Sequence, residues 1–148
     1  MADIRHHVGI SAPIGEVYAA VATRAGLSGW WTRDVEGEDR PGGRLAFGFG
    51  GPRPAAVMEV SELVPPSLVR WRCVEGPDEW QDTDLSFELR DGGGETHLLF
   101  THAGWRDAGP FLHHCSTKWA YFLLGLKSGF EGGAATPWPD DMPISSWG

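Results

Sequence analysis

Basic clusters are missing from this chain. Its 12 Lys and Arg residues lie scattered among 20 Asp and Glu, and the formal net charge is −8. Phosphate recognition needs grouped cations, so the sequence argues against a nucleic-acid partner. Anionic membrane surfaces are disfavoured for the same reason. Long apolar runs are missing too. No stretch approaches the roughly 20 residues that span a bilayer. The N-terminal Met1-Ala2-Asp3-Ile4-Arg5-His6-His7 lacks the apolar core of a signal peptide. Cysteine is scarce, with only Cys73 and Cys115. Two cysteines allow at most one bridge, and nothing in their context suggests it. They read as buried free thiols in a reducing compartment, which makes the expected location cytoplasmic.

The usual catalytic and metal-binding patterns are also absent. There is no Gly-x-Ser-x-Gly elbow around a nucleophilic serine. The glycine-rich stretches Gly48–Gly51 and Gly92–Gly94 lack the Lys-Ser/Thr of a phosphate loop, and they read as turns. His113, His114 and Cys115 are adjacent, but successive helical residues point about 100° apart and do not converge on one ion. His6 and His7, neighbours on a strand, face opposite sides. No catalytic residue, metal or cofactor is therefore assigned.

What is present is periodicity. Ile4–Ile10 reads as a strand. Ser11 then stands as N-cap of a short helix with Pro13 in its first turn. Ile14, Val17, Tyr18 and Val21 share one helical face, and Ala25–Trp31 reads as a second short helical segment. From Leu45 the period becomes two. Leu45, Phe47 and Phe49 alternate with small or polar neighbours, as do Val69, Trp71 and Cys73, and then Leu85, Phe87 and Leu89. Val57–Val64 forms a further strand, stopped by Pro65-Pro66. Asp91–Gly94 turns the chain into a returning strand over His97–His102. A long helix follows from about Pro110, with Asp107 as candidate cap. Its apolar stripe runs through Phe111, Leu112, Cys115, Trp119, Phe122, Leu123, Leu126 and Phe130, with Trp119 near the centre.

This pattern predicts an α+β helix-grip fold: a curved antiparallel sheet wrapped around a long C-terminal helix, with one or two short helices near the N-terminus. Residues 1–131 form the domain, and 132–148 an irregular tail packed on it. The tail, through Trp138 and Trp147, is expected to cover Tyr121 and Leu124 on the outward side of the long helix. A weak homodimer is the alternative cover, against a monomer.

The Ser11-x-Pro13-x-x-x-Val17-Tyr18 opening, Gly29-Trp30-Trp31-Thr32, His102-x-Gly104-Trp105 and Trp119-x-x-Phe122-Leu123-x-x-Leu126-Lys127 carry a resemblance. They resemble the START-like (SRPBCC) superfamily. More narrowly, they resemble its bacterial branch homologous to the C-terminal domain of the activator of the heat-shock-90 chaperone ATPase. The resemblance runs from about Ile4 to about Phe130. It implies a hollow that takes sterols, lipids, hormones or aromatic polyketides in other members. Because only the C-terminal part of the co-chaperone is matched, no stimulation of a chaperone ATPase is expected.

Six residues are the candidate ligand contacts. Trp71, Phe87, Phe100 and Trp119 would wall the hollow, Trp30 would stand at its mouth, and His102 would be the polar contact. Pockets of this type are mostly apolar with a few polar groups. The expected partner is thus a small hydrophobic or aromatic molecule, bound without chemistry. One alternative is an enzyme of cyclase, dehydratase or hydrolase type with His102 as acid/base. Another is a co-chaperone-like interaction protein. His102 has a plainer reading as well, a structural histidine ordering the turn into Gly104-Trp105. Glu59, Arg70 and Arg72 are expected to face solvent.

Overall fold

The computed structural model describes residues 1–148. The order of elements is β1 (Ala2–Ile10), α1 (Ile14–Ala22), α2 (Arg24–Leu27), β2 (Asp34–Gly37), β3 (Arg44–Gly48), β4 (Ala56–Val64), β5 (Leu68–Glu75), β6 (Asp84–Asp91), β7 (Thr96–Trp105) and α3 (Pro110–Phe130). The seven strands make one sheet in the order β1-β7-β6-β5-β4-β3-β2, every pairing antiparallel. The sheet curves around α3, and the fold is the helix-grip α+β architecture. No helix is long and apolar enough to cross a membrane.

Alternation sets the two faces of the sheet. Leu45, Phe47, Met58, Val60, Val69, Trp71, Leu85, Phe87, Leu98 and Phe100 are all buried on the inner face. Their neighbours form an ion-paired outer face, with Arg44 to Glu59 at 3.8 Å, Arg70 to Glu62 at 3.2 Å and Arg72 to Asp84 at 3.5 Å. Glu59, Arg70 and Arg72 therefore face outward. Exposed pairs of this kind contribute about 0–1 kcal/mol each, so they define the wet face more than they hold it. On α3, Cys115, Trp119, Phe122, Leu123 and Leu126 are buried, spaced as one helical face demands. Each large apolar side chain so buried contributes about 1.5–3 kcal/mol before chain entropy is counted.

Local details differ from the sequence reading in four places. Ser11 does not cap α1: the cap position is Pro13, without a side-chain bond, and the Ser11 N–H instead donates to Glu131 Oε2 at 2.8 Å. Ser11 lies two residues before the cap position, too early to reach the first turn. The Pro13 carbonyl accepts from Glu16 and Val17 in its place. The second helix is shorter than expected, and Thr23 caps it by accepting from the Gly26 N–H at 2.9 Å. Asp107 accepts from the Gly109 N–H at 2.9 Å, so it shapes the approach to α3 while Gly109 holds the cap position. Strand β2 was not anticipated. It is four residues long and buries only Val35, too little for a readable period.

Candidate functional site

The concave face of the sheet is filled by rings. Phe47, Trp71, Phe87 and Phe100 follow one another across it with neighbouring centroids 5.5, 5.1 and 5.2 Å apart. Trp31 enters this row from the loop after α2 and lies 4.3 Å from Phe47 and 4.7 Å from Trp119. Trp119 in turn lies 4.6 Å from Phe100. Rings at these separations are in contact, which leaves no room between them for a guest. Trp71, Phe87 and Phe100 are therefore core residues behind the helix. Trp30, the neighbour of Trp31, is buried on the α1 side, where its Nε1–H donates to the Ala20 carbonyl at 2.9 Å.

His102 is fully buried between β7 and α3. The Trp119 indole N–H donates to His102 Nδ1 at 3.3 Å. An indole nitrogen can only donate, so Nδ1 is the acceptor and the proton resides on Nε2. His102 Nε2–H then meets Thr83 Oγ1 at 2.9 Å, and the Thr83 hydroxyl donates to the Trp80 carbonyl at 2.6 Å. Burial lowers the His102 pKa to about 3. A neutral imidazole with both nitrogens engaged has no capacity left for a ligand proton. In this arrangement His102 is a strut that ties helix to sheet.

The open space lies farther along α3. A cleft of about 340 Å³ runs between the first half of α3, the segment around Trp80, and the tail. Phe111, His114, Cys115, Lys118, Trp119 and Phe122 form its helix wall. Trp31, Phe49, Ala55, Ala56, Pro77 and Trp80 form the sheet side, and Trp138, Asp141, Trp147 and Gly148 close it from the tail. Of the six contacts expected from sequence, the cleft includes Trp119 alone. Trp31, Trp80, Phe111, Trp138 and Trp147 were missed as lining. The signal available was the aromatic spacing along α3 from Phe111 to Trp119 and the two tryptophans of the tail.

Polar groups gather at one corner of the cleft. Lys118 Nζ donates to Asp141 Oδ2 at 2.6 Å and to the Met142 carbonyl at 3.0 Å, and both side chains are 13% exposed. The ammonium also lies 5.2 Å from the Tyr121 ring centre and 5.0 Å from that of Phe122. One turn earlier, His114 stacks on Phe111 at 5.9 Å and meets Trp147 edge-on at 5.7 Å. Burial, and secondarily the charge of Lys118, pushes its pKa down. His114 thus turns toward the cleft. Burial pushes the Cys115 thiol up to about 12, so this cysteine is a neutral wall and not a nucleophile.

The tail is attached at several points. The Trp138 N–H donates to the Trp31 carbonyl at 3.0 Å, and the Trp138 carbonyl accepts from the Arg33 N–H at 3.1 Å. Arg33 pairs with Asp140 at 2.7 Å. Tyr121 bonds Thr136 and accepts from the Met142 N–H at 3.1 Å. Gly50 is required beneath it: its φ is +87°, and a Cβ there would stand 2.9 Å from the Trp138 ring. Leu124 stays 56% exposed, so the tail covers Tyr121 but not the whole outward face that was expected. Removing residues 134–148 would uncover Trp31 and Phe49 and leave Lys118 without its carboxylate. The truncated protein is expected to melt several degrees lower and to aggregate on heating. Equal melting temperatures and solubility for the two forms, compared by calorimetry and light scattering, would contradict this.

Comparison with known proteins agrees with the fold. Residues 11–131 match the model of the family described as Activator of Hsp90 ATPase homolog 1-like protein. The Aha1 dimer from Colwellia psychrerythraea, a solution structure, is 36% identical with a TM-score of 0.81, covering 90% of this chain and 98% of that one. The crystal structure of CalU16 from Micromonospora echinospora is 21% identical with a TM-score of 0.75, covering 95% of this chain and 77% of that one. DynU16, a protein of the dynemicin biosynthetic locus, is 20% identical with a TM-score of 0.71, covering 98% of this chain and 56% of that one. At those identities the last two share the fold with this chain. No curated protein matches it.

Proposed function

From its membership of the Activator of Hsp90 ATPase homolog 1-like family, to which this chain belongs, and from the cleft on α3, we propose that the protein binds a small apolar or aromatic molecule. One observation carries the reading. A cleft of about 340 Å³ is walled mainly by aromatic side chains and holds one charged pair, Lys118 with Asp141. Its size falls near the lower end of small-molecule pockets, about 300–1,000 Å³, and its lining has their usual mixture of apolar wall and few polar groups. Fold likeness alone would not support this, because one fold serves many roles.

In this reading Trp119 is the ligand contact that lies nearest the core. Trp71, Phe87 and Phe100 back it, Trp30 fixes the loop that delivers Trp31, and His102 orients the Trp119 ring. An enzymatic role through His102 is disfavoured by its buried, neutral, doubly bonded imidazole. A co-chaperone role rests on the family description and on the name of the Colwellia relative. The Colwellia relative is described as a dimer, and a weak homodimer of this chain rests on that likeness alone.

The test is a titration with N-phenyl-1-naphthylamine, a neutral aromatic probe. Binding at micromolar dissociation constant is expected, with quenching of tryptophan emission. At a hundredfold excess over that constant, mass action adds about 2.7 kcal/mol to stability. Ala55→Trp, which fills the cleft from its exposed rim, is expected to weaken binding at least tenfold while leaving the melting temperature within a few degrees. Equal binding by the filled variant would place the site elsewhere.

A further inference from the structure

The polar corner of the cleft says what kind of molecule belongs there. Lys118 sits on α3, in the body of the protein, but both of its hydrogen-bond acceptors come from the tail: the Asp141 carboxylate and the Met142 carbonyl. The ammonium and the carboxylate are each 13% exposed and both line the cleft. Around them stand rings, Phe122 and Tyr121 below the ammonium and Trp147 and Trp138 toward the tail. A mostly buried cation is costly to leave unpaired, so while Lys118 stays covered an anion is favoured beside it. In the observed state the anion is the protein's own Asp141.

We propose that the ligand is an aromatic carboxylic acid whose carboxylate replaces Asp141 on Lys118, releasing the tail as it binds. This rests on the apolar-ligand reading above and adds the acid group and the exchange. Three features support the exchange. The competing acid lies on a segment without regular secondary structure, so it can leave without breaking the sheet or α3. The same segment supplies Trp138 and Trp147 as cleft wall, so moving it enlarges the space for a ring system. Lys118 also keeps its two aromatic neighbours when the tail moves, because both are on α3. A neutral ligand of the same shape has no such gain. It would have to fit the cleft with the latch closed.

The experiment compares 2-naphthoate with 2-naphthamide, equal in ring system and differing in charge, by calorimetric titration and amide hydrogen exchange on the full chain. Naphthoate is expected to bind at least tenfold tighter. It alone is expected to speed exchange at the Trp138 and Met142 amides, which are bonded to Trp31 and Tyr121 in the closed state. Asp141→Asn, which removes the competing charge and keeps the shape, should tighten naphthoate about tenfold and change naphthamide less than twofold. Lys118→Met should erase the preference. Equal affinities in the unaltered protein, a preference for the amide, or a ratio unmoved by Asp141→Asn would overturn the exchange while leaving apolar binding intact. If neither naphthalene derivative nor N-phenyl-1-naphthylamine binds, the apolar-ligand reading fails and this inference with it.

Discussion

Trp119→Ala is expected to lower stability by about 3–5 kcal/mol, a loss at the top of the range for core truncations. The side chain is 2% exposed and holds three groups together. Its ring touches Trp31 from the loop and Phe100 from β7, with Trp80 stacked 6.2 Å away. Its indole N–H satisfies His102 Nδ1. Alanine removes the rings' common partner and leaves a buried imidazole acceptor unpaired. Trp119→Phe separates the two effects. It keeps most of the packing and loses the hydrogen bond, so about 1–3 kcal/mol is expected. Urea unfolding followed by far-ultraviolet circular dichroism measures both. A loss under 1 kcal/mol for the alanine variant would show that α3 is not gripped through this residue.

Acidification supplies the second large effect. In the unfolded chain His102 binds a proton below its ordinary pKa of 6.5, whereas in the folded protein it stays neutral down to about 3. Between these values the unfolded state holds more protons, so unfolding becomes easier as pH falls. The stabilisation from the neutral imidazole is complete above pH 6.5 and is lost toward pH 3. The slope is at most about 1.4 kcal/mol per pH unit, so acidifying from 6.5 to 4.5 should cost about 2–3 kcal/mol through this one residue. His114, also lowered by burial, acts in the same direction. His102→Gln should be less stable at pH 7 and should show a shallower decline with acid. Parallel stability-against-pH curves for the two proteins would mean that His102 titrates as it does in the unfolded chain.

The sequence exposed whatever repeats locally. Leu85, Phe87 and Leu89 alternate with Ser86 and Glu88, so the inward face of β6 could be read directly. The stripe from Cys115 to Leu126 named the buried face of α3 with Trp119 at its centre. The cleft was not local in this sense. It depends on where each of two adjacent buried tryptophans packs. Trp31 packs on Phe47 and Trp119, while Trp30 meets Phe87 edge-on at 6.1 Å and bonds the Ala20 carbonyl. Composition and period treat the two alike. Once Trp31 fills the grip, the space expected around Trp71, Phe87 and Phe100 closes, and the remaining opening moves along α3 toward Phe111. The other wall is the tail, which docks through single bonds and two ion pairs to residues elsewhere in the chain. Such attachments carry no period. Trp138 between Pro137 and Pro139 was visible as an aromatic in a rigid stretch, but its seat on Gly50 was not.

The central claim is that guests enter the cleft on α3 and not the ring-filled concavity of the sheet. The eight tryptophan indole N–H resonances test it directly, because the fold divides them. Trp31, Trp80, Trp119, Trp138 and Trp147 line the cleft, and Trp30, Trp71 and Trp105 do not. In a proton–nitrogen correlation spectrum of labelled protein titrated with N-phenyl-1-naphthylamine, the first group should shift or broaden and the second should stay in place. Movement of Trp30 and Trp71 with Trp138 and Trp147 unaffected would put the ligand inside the grip and contradict the account.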